Sequence, residues 1–436
     1  MRKPFISRVS ARRLFLFLSI FLICPNLLAG VVLLVPDTGG VGEGVIAEAQ
    51  AKLRQGDIES ARQTLQSLLS TEDSSHPELV LADMLFQNGY GKEARATLER
   101  FSTINAPRVD TFYAFGKLAI EEKRWFDAWV HAKLAERVAM PTNWTPKYQE
   151  TVRAQLQLLM LASHAGRGDW AQVKSLAESL VTGDKVPDEF LSYAGEAQFH
   201  LGNIPGALEH YQRLAAQQPS FPTPELVVAK LYNAANDQVQ AEAFFQKAVA
   251  VNDVEKQHTA RLEYARWQLW QGKPEGVSDL LTFQTAHDDI RTEQQYLLAM
   301  AARMEKRLPE ARTILDKLLQ ASPDSFPARN QLALVLIESP GLADQQLARQ
   351  IAEENSQRFG NLADTWSTLG WIQLKAGDLD SAERSLSTAT KAGTISRDTA
   401  FYISVLRAEQ AAKLRAAAEQ SSGPFFYRSE NIPSGL

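Results

Sequence analysis

The chain has 436 residues, with 46 Lys+Arg against 51 Asp+Glu and a net charge of −5. That length suits about two or three ordinary domains or one long repeat array, and the charge balance excludes bulk electrostatic binding to nucleic acid, which needs clustered excess cations. Glycine and proline, 24 and 19 residues, are too few for a low-complexity chain, and the single cysteine, Cys24, excludes an intramolecular disulfide and a multi-cysteine zinc site.

In chain order, residues 1–13 carry Arg2, Lys3, Arg8, Arg12 and Arg13 and no acid. Apolar runs follow, Leu14 to Ile23 and Leu27 to Val35, interrupted by Cys24-Pro25-Asn26. Two readings fit. Residues 14–23 form the core of a secretory signal cleaved near Ala29 or Gly30, or residues 14–35 form one membrane span, roughly 33 Å of helix. Either way the basic flank stays in the cytoplasm and the rest crosses, so the expected location is the periplasm or its equivalent, anchored or released. Ile23 before Cys24 argues against a lipid anchor. Residues 36–44, rich in glycine, read as a flexible linker.

From there one unit recurs: a small residue in a first helix, a turn that usually holds glycine, then an Ala or Val with a large apolar residue four positions on. The markers Ala61, Ala94, Ala128, Val173, Ala207, Ala241, Val277, Ala311, Ala348 and Ala382 are spaced by 33, 34, 45, 34, 34, 36, 34, 37 and 34 residues. Clear copies are Leu369-Gly370 with Gly377-Asp378 and Ala382, and Ala194-Gly195 with Gly202-Asn203 and Ala207. The small residues let two helices approach, and the large one, a turn past the marker, shares its face. Gly56, Gly89, Gly168, Gly202, Gly272 and Gly377 stand where the first helix ends.

This period resembles the tetratricopeptide repeat from about residue 44 to 395. The resemblance implies an all-α, right-handed α-α superhelical solenoid of about ten helix pairs with a concave groove. It places three units in 45–140 and seven in 152–395. Residues 141–151, inserted at the 45-residue gap, read as an extra turn of helix and a packing loop, or as a projecting element with Trp144 and Tyr148 as partner anchors. Residues 396–420 alternate apolar and charged positions as a capping helix would. The tail 421–436 is turn-rich, and Phe425 and Phe426 in it either fold back or dock a partner.

No catalytic, cofactor or metal site is expected. No two of the seven histidines are spaced by three or four, and Gly39 to Gly44 lacks the Gly-Lys-Ser/Thr ending of a phosphate loop. His287-Asp288-Asp289 reads as a loop between units. In the family resembled, the second, fifth, ninth and twelfth positions of each first helix line the groove. Carried over, these include Tyr113, Lys117, Glu196, Phe199, Lys230, Asn233, Arg266, Tyr296, Met300 and Arg303. The Asn and cation clamp that some relatives use for a peptide's carboxylate is not in register.

The function expected is a non-enzymatic scaffold that binds a protein or peptide in the groove and organises an envelope assembly, with the membrane engaged through 14–35 if that segment is uncleaved. Ala363-Asp364-Thr365-Trp366 and Asp398-Thr399-Ala400-Phe401-Tyr402 resemble bacterial repeat proteins of exopolysaccharide and protein-sorting loci. The alternatives are a glycan-binding export component, disfavoured because the groove holds no paired acid, and a passive spacer.

Overall fold

The computed structural model describes residues 41–70, 76–142, 144–183, 186–393 and 395–420. These form twenty-one α-helices and no strand, an all-α fold of repeated helix pairs. The chain divides into two compact units after Val251. The first holds α1 (Val41–Arg54), α2 (Ile58–Leu65), α3 (Pro77–Gln87), α4 (Gly91–Ile104), α5 (Val109–Glu121), α6 (Trp125–Glu136), α7 (Pro146–Gly166), α8 (Trp170–Leu180), α9 (Asp188–His200), α10 (Ile204–Gln217), α11 (Pro224–Ala234) and α12 (Gln238–Ala248). The second holds α13 (Val254–Trp270), α14 (Val277–Leu280), α15 (Asp288–Met304), α16 (Leu308–Ala321), α17 (Phe326–Glu338), α18 (Leu342–Arg358), α19 (Ala363–Lys375), α20 (Leu379–Ala392) and α21 (Arg397–Gln420). Odd and even helices pair in sequence, so the markers fall in ten pairs followed by one further helix.

The marker residues explain the pairing. All ten are buried, with at most 1% of their surface exposed. Opposite them the odd helix also needs a small residue. A Cβ at Gly195 would stand 2.7 Å from the Tyr211 ring, and one at Gly370 would stand 2.7 Å from Leu386. The turn within a pair needs a left-handed residue, which Gly202 (φ +79°) and Gly377 (φ +81°) supply. Lys123, Asn236 and Lys306 take the same conformation at φ 57°, 60° and 63° where the sequence offers no glycine. Asp57, Asn203, Asp237 and Asp378 then cap the even helix, each side chain accepting from the backbone N–H three residues on at 3.0–3.3 Å.

Four expectations need correction or relocation. Helix α1 begins at Val41, inside the segment read as linker. The insertion is not a boundary: Thr145 caps α7, accepting from the Tyr148 N–H at 3.3 Å, and residues 146–151 are the first turns of that helix. Trp144 and Tyr148 are 3% and 6% exposed, packed edge to face at 4.9 Å within one apolar cluster that runs from Val109 to Leu214. They are core residues, not partner anchors, because a partner would have to open the unit to reach them. The even helix of the seventh pair is only Val277–Leu280, after which the Gln294 amide donates to the Phe283 carbonyl at 2.8 Å and holds the following segment. The segments 1–35 and 421–436, with Phe425 and Phe426, lie outside the described residues. Among the described residues no helix is long and apolar enough to cross a membrane.

Candidate interaction site

Odd helices pack on odd helices in each unit, so their side chains meet across successive pairs. In the first unit Lys117 on α5 reaches back to Asp83 on α3 at 2.5 Å. With Glu121 they rim a small hollow otherwise lined by apolar residues such as Phe86 and Leu98. Burial raises the Glu121 carboxyl above its ordinary range, Lys117 opposing and Asp83 adding. Tyr113 nearby is 5% exposed, its phenol raised by burial. Glu196 and Phe199, both on α9, are buried at 7%. Phe199 packs its edge on Tyr232 of α11 at 4.8 Å, and Glu196 stands 3.9 Å from His200. Lys230 and Asn233 on α11 are half-buried.

In the second unit the predicted residues join a network spread over several helices. Arg266 on α13 pairs with Glu263 at 2.8 Å and with Glu293 of α15 at 2.6 Å. Arg303 on α15 donates to Glu338 of α17 at 2.6 and 2.9 Å and to Gln331 at 3.2 Å. Glu338 also receives Lys306 at 2.9 Å. Burial alone would raise the Glu338 carboxyl, but Arg303 and Lys306 hold it below the usual range. Tyr296 lies beside Gln331, and Tyr402 of α21 beside Arg303; burial pushes each phenol up to about 12. Met300 lies half-buried on the same helix as Tyr296. Arg397, at the start of α21, donates to the Trp270 carbonyl at the end of α13 at 3.3 Å, so the last odd helix of this unit returns to its first.

The structure thus gathers Tyr113 with Lys117, Glu196 with Phe199, and Tyr296, Met300 and Arg303, and it shows Arg266 and Arg303, read as groove-lining cations, in ion pairs. Their charge is matched by carboxylates on the next odd helix, because two stacked helices place side chains about one repeat apart in sequence side by side. Asp288, part of the His287-Asp288-Asp289 segment, opens α15 and pairs with Arg291. Among the described residues no group of three His, Cys, Asp or Glu is arranged to hold a metal ion.

The groove assignment stopped at α15 and so did not include Gln331 and Glu338, and it left Asp364, Asp398 and Tyr402 only as part of a resemblance. A signal for Asp364 existed. Counted back from the small residue Gly370, it occupies the position that Glu293 holds relative to Ala299.

Models of the tetratricopeptide repeat match residues 46–107 and 295–325. No curated protein sequence matches the chain. Among solved structures, the chain is similar to the Naa15/Naa10 complex bound to HypK-THB, at 13% identity over 88% of this chain and 71% of that one, with a TM-score of 0.38. It is similar to the APC/C hetero-tetramer Cut9-Hcn1 at 12% identity, over 85% and 90%, with a TM-score of 0.36. A tetratricopeptide repeat protein from Parabacteroides merdae is 14% identical over 69% and 98%, with a TM-score of 0.34.

Proposed function

We propose that the chain, which is a tetratricopeptide-repeat protein, is a non-enzymatic scaffold that holds a protein or peptide segment against its odd-numbered helices. The supporting observation is the convergence of Tyr296, Arg303, Gln331, Glu338 and Tyr402 from α15, α17 and α21 into one polar and aromatic face. Arg303 and Glu338 are paired and Tyr402 is 6% exposed, so this network stiffens the odd helices, and the half-buried Lys230, Tyr296 and Met300 are the side chains a ligand would meet. The N-terminal pattern of basic residues and an apolar run supports a further part of the reading, export to the far side of a membrane and a role in an envelope assembly.

A photo-crosslinking residue placed in intact cells tests the binding face. Positions 230 and 300 lie on odd helices, whereas Val239 and Leu342 are 78% and 76% exposed on even helices. A discrete protein adduct from 230 or 300, absent from 239 and 342, supports the reading. Adducts from the even-helix positions alone would sink it. Export is tested separately by adding protease to spheroplasts: a chain that stays protected while the inner membrane is intact is not exported.

A further inference from the structure

Two observations in the second unit lie outside its bonded network. Asp364 and Asp398 are exposed in the first turns of α19 and α21, two helix starts that the Thr399 hydroxyl holds together by donating to the Ser367 hydroxyl at 2.8 Å. Among the described residues neither has a hydrogen-bond or ion-pair partner. An acid in the first turn of a helix is ordinarily stabilised by the helix dipole. Here the surrounding protein and then the charge of Asp398 raise the Asp364 carboxyl, although its surface stays open to solvent. The nearby arginines do not relieve it, since Arg303 is committed to Glu338 and Arg266 to Glu263 and Glu293.

The second observation is aromatic. Phe401, three residues beyond Asp398, is 56% exposed. It tilts against Trp371 at 5.9 Å, and Trp371 stacks on Tyr402 at 4.4 Å. Trp270, whose carbonyl takes the Arg397 side chain, is 48% exposed. Unpaired carboxylates beside open ring faces attract the same ligand group twice, through charge and through the ring quadrupole, and that group is a cation on an aliphatic stem.

We propose that this face of the second unit takes a basic segment of a partner protein, with a Lys or Arg side chain seated between Asp364 and Asp398 and its stem against the Phe401 ring. The proposal rests on the scaffold reading and names the chemistry of what the scaffold holds.

The test uses the full chain and two fluorescein-labelled peptides, (Lys-Gly-Ser)4 and (Glu-Gly-Ser)4, followed by anisotropy at about 50 mM salt, where exposed charges are weakly screened. Two double variants change the net charge equally: Asp364→Asn with Asp398→Asn, and Glu275→Gln with Glu409→Gln on exposed positions. The lysine peptide is expected to bind, to lose about tenfold in affinity with the first pair, and to change by less than about twofold with the second. Phe401→Ala should weaken it as well, with no change in net charge. Equal loss from both pairs would mean diffuse attraction to an acidic chain and would overturn the proposal. So would failure of the lysine peptide to bind. Preference for the glutamate peptide would overturn this proposal while leaving the scaffold reading standing. The asparagine substitutions relieve repulsion, so thermal melts of that variant should match or exceed those of the parent, which separates lost binding from lost fold.

Discussion

At the scale of single residues, contact distance decides what is tolerated. Gly195 leaves no room for a methyl group, since its Cβ would meet two atoms of the Tyr211 ring at 2.7 Å, and Tyr211 is itself fully buried. Gly195→Ala should therefore cost about 1–3 kcal/mol although it raises helix propensity. A urea titration checks this, and an unchanged midpoint would show that the two helices can part freely. Arg303 illustrates the electrostatic counterpart. Replacing it with Met keeps much of the packing but leaves Glu338, 16% exposed, with Lys306 alone. The expected loss is about 2 kcal/mol, largely recovered in the double variant with Glu338→Gln, as a double-mutant cycle would show.

At the scale of elements, the sequence was most legible where structure is local. Glycine before the even helix, an Asp or Asn cap and a small marker all act within a few residues, so ten pairs could be counted from spacing. Of the two readings of the insertion, the extra turn of helix is what forms, and the projecting element fails because the length of the segment was visible and its burial was not. Trp144 and Tyr148 look like surface aromatics in a Pro- and Thr-rich stretch until Thr145 caps α7 and turns both inward. The short α14 was equally hidden, since Val277 and Leu281 keep the marker spacing while Gly276, in the left-handed region, starts the helix late. One turn departs from the glycine rule in a way that can be used. Lys123 sits at φ 57° and is exposed. Lys123→Gly should stabilise the first unit by about 1 kcal/mol, because the left-handed conformation costs a branched backbone roughly that much. Chemical denaturation of the two forms measures it, and a loss of stability would mean that unfolded-chain entropy outweighs strain at this turn.

At the scale of the whole molecule, burial of neutral histidines couples stability to pH. His76, His131 and His210 are all lowered from their ordinary value of 6.5, in each case mainly by burial. His131 stacks on Phe115 at 5.4 Å, and its Nδ1 is buried without a partner. The unfolded chain then binds protons first. Stability should be flat above about pH 7, and should fall as pH drops from about 6.5 toward the lower native values. Urea midpoints across that range report the effect, and His131→Phe should flatten part of the slope; a rise in stability on acidification would reverse the assignment. The division after Val251 and the pairing of Arg303 with Glu338 escaped the sequence for one reason. Both depend on contacts between residues a helix pair or more apart, which no window of one repeat contains.

The hydrogen bond from Arg397 to Trp270 joins residues 127 positions apart, and the contact of Tyr402 with Arg303 spans a similar arc. Repeat arrays commonly fold fast and in pieces, because every contact is made with the next repeat along. The second unit adds this long-range tie to its neighbour contacts, which raises its native contact order and couples its two ends. Deleting α21 should then speed amide exchange in α13, the helix of this unit most distant from it in sequence, as well as in its neighbour α20. A strictly linear array would confine the damage to the last pair.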